Sequence, residues 1–151
     1  MIWESSSLKK ALAVAVADNI KAGRVQFNSL DVQEGDIFIA LPGQRDGHEF
    51  VGDALASGAG CAIISQDIEG ADADKLIKVE DTIKALNDLA EYKRQNSKAK
   101  FIAVTGSVGK TSTREVIKTM LAAYGNSYAS SKSFNNYLGV PLTLEIGRAH
   151  V

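Results

Sequence analysis

The chain has 151 residues, 45% of them hydrophobic, with 17 Lys+Arg against 18 Asp+Glu and a net charge of −1. That is the composition of an ordinary soluble globular chain, long enough to bury a core without covalent staples. The near-neutral balance, with pI about 6.1, excludes broad sequence-independent nucleic-acid binding, which needs a net positive field. Cys61 is the one cysteine, which excludes an internal disulfide and a cysteine-built zinc site and points to a reducing compartment.

The longest apolar run, residues 11–17, falls far short of the ~20 residues that span a membrane. Lys9-Lys10 ahead of it imitates a short signal peptide. Glu4 before the run and its Ala/Val composition favour an Ala-rich helix starting near Leu8, capped by Ser5 to Ser7. Asp36 to Leu41 is the first predicted strand, closed by Pro42-Gly43. His48 to Ser57 predicts a helix ending at Gly58 and Gly60. Cys61 to Ser65 and Leu76 to Val79 are two further strands, and the strand–helix–strand order predicts an α/β unit.

Ile83, Leu86, Leu89, Ala90 and Lys93 recur at helical spacing, with Asp81 or Thr82 as the cap. The polar stretch Glu91 to Lys100 marks the helix end and a domain junction. Phe101 to Val104 predicts a new buried strand. A helix from about Thr111 carries Val116, Ile117, Met120, Leu121 and Tyr124 on one side and stops at Gly125.

The strongest chemical signal lies between that last strand and helix: Val104-Thr105-Gly106-Ser107-Val108-Gly109-Lys110-Thr111-Ser112. Glycines there let backbone N–H groups converge on phosphate oxygens, and a helix N-terminus adds positive partial charge. Lys110 supplies a point charge for terminal phosphates and Thr111 a hydroxyl for Mg²⁺. The general pattern G-x-x-x-x-G-K-[ST] is incomplete, because Val104 fills its first glycine slot. A second segment, Gly35 to Phe50, is a strand, a polar Gly-rich loop and a helix start, a form suited to a phosphorylated ligand. His48 alone is weak evidence within it. A third, Lys132 to Leu142, sets Asn135 and Asn136 ahead of Gly139-Val140-Pro141.

Together these segments resemble the start of a Mur ligase, of the MurF type that joins D-alanyl-D-alanine to a UDP-N-acetylmuramoyl-tripeptide. The resemblance covers residues from about 3 to 144. It is carried by Thr105 to Ser112, by the Gly-Asp-Ile-Phe-Ile-Ala-Leu strand with Asp46-Gly47-His48-Glu49-Phe50, by Ala56-Ser57-Gly58-Ala59-Gly60, and by Asn135-Asn136 with Gly139-Val140-Pro141-Leu142. It departs from the family at Leu30, where an Arg is usual, and at Ser133, where an Asn is usual.

The resemblance implies a small N-terminal α/β substrate domain, residues 1–97. Residues 98–144 then give the first strand, phosphate loop and helix of a truncated ATP-binding domain. It implies ATP and Mg²⁺ as cofactors, Lys110 as the catalytic residue, and Gly106, Ser107, Val108, Gly109, Lys110, Thr111 and Ser112 as the ATP loop, with Thr111 on the metal. Ser29, Gly47, His48, Asn135 and Asn136 are the implied substrate contacts. A cytoplasmic, monomeric ligase without nucleic-acid or membrane partners is expected, this chain being an inactive piece of it. Residues 145–151 are expected to be a non-native tail. They translate GAG ATC GGA AGA GCA CAC GTC, which after its first base matches the start of a common sequencing adapter. The competing readings are the ligase that adds the third peptide residue, a free-standing UDP-sugar-binding module, and an unrelated small P-loop NTPase.

Overall fold

A computed structural model describes residues 2–129. The chain divides into two compact units, residues 1–89 and 90–151.

The first unit opens with a two-stranded antiparallel pair, β1 (Trp3–Glu4) and β2 (Lys21–Ala22), joined through helix α1 (Ser5–Leu12). Trp3 and Leu8 are fully buried. The helix starts three residues earlier than Leu8 and ends at Leu12, so the Ala-rich run does not continue it. Ala13 turns left-handed at φ 54° and donates to the Lys9 carbonyl at 3.0 Å. Pairing of β2 with β1 then takes precedence over helix propensity. Ser5 Oγ fixes the return by donating to the Ala17 carbonyl at 2.7 Å and accepting from Ile20 N at 2.9 Å.

The rest of the unit is a four-stranded parallel sheet in the order β3 (Val25–Gln26), β4 (Ile37–Ile39), β5 (Cys61–Ile64), β6 (Leu76–Lys78). Three of these strands are the predicted ones, each trimmed at its carboxyl end. Two-residue β3 carries no periodic signal and is visible only through its ladder to β4. All residues of β4 and β5 are buried, as a parallel sheet covered on both faces requires. On one face Phe38, Ala40, Ala62 and Ile64 pack with Val51 and Ala54 of α2 (Val51–Ala56). By alternation Ile37, Ile39, Cys61 and Ile63 form the other face. The predicted helix over 48–57 is in fact a 3₁₀ turn, Gly47–Phe50, followed by α2.

Glycines let backbones close on one another at the amino ends of the strands. Gly23 N donates to Gly35 O at 2.7 Å, and Gly35 N donates to Gly58 O at 2.8 Å. Gly58 sits at φ +102°, where a Cβ would lie 3.2 Å from Glu34 Cα. Buried Asp36 braces this end: its carboxylate accepts from Arg24 Nη2 and from Gln33 N, both at 2.9 Å.

Helix α3 (Thr82–Gln95) begins where Asp81 Oδ1 accepts from Ile83 N at 2.7 Å and Lys84 N at 3.0 Å. Asp81 is therefore the cap, and Thr82 is the first helical residue. The division between the units falls within this helix, at Leu89/Ala90.

In the second unit α4 spans Lys110–Ala122. The preceding run, Phe101 to Val104, is not a strand, and Phe101 and Ile102 are exposed. A strand exists by its ladder, and no described segment pairs with this one. On the predicted apolar side of this helix, Val116, Met120, Leu121 and, past its end, Tyr124 are exposed, and Ile117 is half-buried. Gly125 N donates to the Leu121 carbonyl at 3.2 Å at the helix end. Among the described residues no helix is long and apolar enough to cross a membrane.

Candidate functional site: a phosphate loop and a sheet-edge turn

In the second unit the loop ahead of α4 has the geometry of an anion cradle. Gly106 and Gly109 take φ values of +149° and +81°, which only glycine adopts without strain. Gly109 is the N-cap of α4, and a Cβ built there meets nothing within 4 Å. The space over the helix start is therefore open. Val108 between the glycines is 90% exposed. Lys110 is the first residue of α4, and its Nζ donates to the Gly106 carbonyl. That bond folds the ammonium back over the loop, where an incoming phosphate would sit. Thr111 and Ser112 follow in the first turn of α4. Every loop residue singled out in the sequence thus lies on one exposed loop-to-helix junction. Asn135 and Asn136 lie outside the described residues.

In the first unit the loops after β3, β4 and β5 all leave the carboxyl ends of parallel strands, the edge where open α/β sheets take their ligands. Ser29 opens a 3₁₀ turn, Ser29–Asp31, capped by Asn28, whose Oδ1 accepts from Leu30 N at 3.2 Å. This turn packs against α2. Leu30, in the place of the usual Arg, is 91% exposed.

The loop after β4 ends in a tightly specified turn. Gly47 N donates to the Leu41 carbonyl at 3.0 Å. A Cβ at Gly47 would stand 2.7 Å from Leu41 N and 2.8 Å from Leu41 O, so no larger residue fits. Asp46 Oδ1 accepts from His48 N at 3.0 Å and from His48 Nδ1 at 2.6 Å. These bonds, the backbone one first, hold the Asp46 carboxyl below its ordinary range.

On the far side of the ring, His48 Nε2 accepts the Ser65 backbone N–H at 2.9 Å, with Ser65 Oγ at 3.2 Å. Nε2 therefore carries no proton, and the ring hydrogen sits on Nδ1, facing Asp46. Gln66 Nε2 closes the set, donating to Asp46 Oδ2 at 3.1 Å.

The side chain of His48 is 8% exposed and both its nitrogens are engaged. His48 latches the loop after β4 to the end of β5. Its partners were only partly legible. Asp46 two residues before His48 is a local turn signature. Ser65, 17 residues away, gives no local signal.

Comparisons with known proteins show what the chain is similar to. The family model of the Mur ligase middle domain matches residues 104–150. The UDP-N-acetylmuramoyl-tripeptide–D-alanyl-D-alanine ligase of Rickettsia prowazekii is 50% identical over 144 residues, covering 95% of this chain and 32% of its own length. The chain belongs to the Mur ligase family. A solved structure of the Mur ligase from Acinetobacter baumannii that adds D-alanyl-D-alanine superposes with a TM-score of 0.84 at 33% identity, over 95% of this chain and 33% of that one. The MurF ligase of Thermotoga maritima, solved in complex with ADP, superposes with a TM-score of 0.72 at 34% identity, over 82% and 29%. This chain spans about a third of the length of these Mur ligases.

Proposed function

We propose that the chain supplies two parts of a cytoplasmic, monomeric MurF-type ligase. Residues 1–97 hold UDP-N-acetylmuramoyl-tripeptide, and residues 98–144 begin the domain that holds ATP. The observation that carries this reading is the open glycine cradle at the start of α4, with Lys110 folded over it, in a chain whose relatives bear the D-alanyl-D-alanine ligase name.

Loop N–H groups and Lys110 would offset the charge of the phosphoryl group in transfer. The phosphoryl group passes from ATP to the tripeptide carboxylate, and ADP leaves. The amine of D-alanyl-D-alanine attacks the resulting acyl phosphate, phosphate leaves, and the nitrogen gives up a proton as the amide forms. Thr111 fits a Mg²⁺ ion, because its hydroxyl is a hard oxygen donor in the first turn after the open cradle. When bound there, Mg²⁺ would supply positive charge against that of the phosphates. Ser29 and Gly47 belong to the edge that receives the uridine diphosphate end, with His48 holding that edge in place. Asn135 and Asn136 are assigned to the cleft for ATP and the acceptor.

The test is a chimera in which this chain replaces the matching segment of the Rickettsia prowazekii ligase. It is expected to join D-alanyl-D-alanine to UDP-N-acetylmuramoyl-tripeptide with release of ADP, and to lose that turnover with Lys110→Ala. Turnover with a diamino acid on the dipeptide precursor instead would contradict the reading.

A further inference from the structure

We infer that His48 and Ser65 form a proton-operated latch. With the ring neutral, the loop after β4 is tied to the backbone just past β5; with the ring charged, that tie passes to the Ser65 hydroxyl. The device rests on two unlike groups meeting Nε2. The Ser65 backbone N–H donates to it at 2.9 Å, and Ser65 Oγ stands at 3.2 Å. A backbone N–H can only donate, whereas a hydroxyl rotates to donate or to accept.

A second ring proton therefore has one place to go. Nδ1 already carries a hydrogen toward Asp46 Oδ1 at 2.6 Å, so the proton arrives from solvent at the Nε2 lone pair. Nε2–H then confronts the Ser65 N–H, two donors head to head, and that bond breaks. Oγ turns a lone pair to Nε2–H and holds the ring in its place. The released N–H is left to water, since Ser65 is half-buried and Gln66 beside it is exposed.

Imidazole changes charge between about pH 5 and 8. Asp46 stays ionised through that range, its carboxyl being held below the ordinary value, and it balances the ring's charge at Nδ1. The other charged groups near the ring are Arg45 and Glu49 on its own turn, 3.6 Å apart, and Asp53 on α2. Beyond β5 stands Asp67, which Lys78 of β6 holds at 2.6 Å. Among the described residues only Asp46 and Ser65 hydrogen-bond the ring. The switch requires no ligand.

The test is a pH titration by NMR of the isotope-labelled 151-residue chain carrying His150→Gln, which leaves His48 as its one histidine. At neutral pH, Nε2 is expected at the shift of an unprotonated ring nitrogen. As pH falls from about 8 to about 5, the ring should take up its proton. In the same transition the Ser65 amide should lose about five-fold or more of its protection against exchange, the worth of one hydrogen bond. The Val79 amide, which donates to Ile64 O at 2.8 Å within the sheet, should keep its protection. Ser65→Ala keeps the backbone N–H but removes the acceptor for the charged ring. In that variant the Gly47 amide, seated on Leu41 O at 3.0 Å, should lose protection in acid alone. A Ser65 amide still protected once the ring is charged, a ring neutral until the chain unfolds, or Val79 losing protection together with Ser65 overturns the latch. A Gly47 amide as protected in Ser65→Ala as in the parent overturns the passage of the tie to the hydroxyl.

Discussion

Gly47 and Asp46 show how single residues decide the sheet-edge turn. Any side chain at Gly47 meets the Leu41 backbone at under 3 Å, so Gly47→Ala forces the turn to move. We expect a loss of about 1–3 kcal/mol, measured by urea unfolding against the parent chain. Asp46 acts through its charge. Its carboxyl is held below the ordinary range, first by the His48 backbone N–H and then by the His48 ring. A carboxyl lowered in the folded state contributes stability that is present above its unfolded value, about 3.9. That contribution is lost as pH falls through the folded value. Asp46→Asn should therefore lower stability at neutral pH and flatten its fall in acid. An acid limb identical to the parent's would remove Asp46 from that role.

At the level of elements, strands β4, β5 and β6 were legible, because largely apolar runs between turn residues leave few alternatives. Helices α3 and α4 were legible from their periodicity. What remained hidden was non-local. β1, β2 and β3 are two residues each and exist only through partners 12 or more residues away. The end of α1 at Leu12 is set by Ser5 binding the returning chain at Ala17 and Ile20. Of the candidate site, the glycine turn ahead of α4 was legible because Gly106, Gly109, Lys110 and Thr111 lie close together in sequence, whereas the strand expected before it is not formed. The distant partner of His48, Ser65, was not legible. At α4, Lys110→Ala should abolish ATP affinity while leaving the thermal midpoint unchanged, because the lysine makes its bond on an exposed loop. Calorimetry with ATP and a melting curve check both halves.

For the molecule as a whole, the described residues of the first unit and of α4 differ in how much they bury. The first has a closed core on both faces of its sheet, and α4 in the second has no buried residue. Cys61 reports on that core. Burial pushes its thiol up to about 12, so at pH 8 it is neither accessible nor ionised. Labelling by a thiol reagent should follow opening of the sheet and slow or quicken with denaturant as global unfolding does. Rapid labelling under native conditions would show that the first unit lacks the core described.

Calorimetric titration of the 151-residue chain with UDP-N-acetylmuramoyl-tripeptide tests the central claim most directly. The account predicts one-site binding that survives Lys110→Ala and is lost in Gly47→Ala. Binding abolished by Lys110→Ala and kept in Gly47→Ala, or no binding by the parent chain, would contradict it.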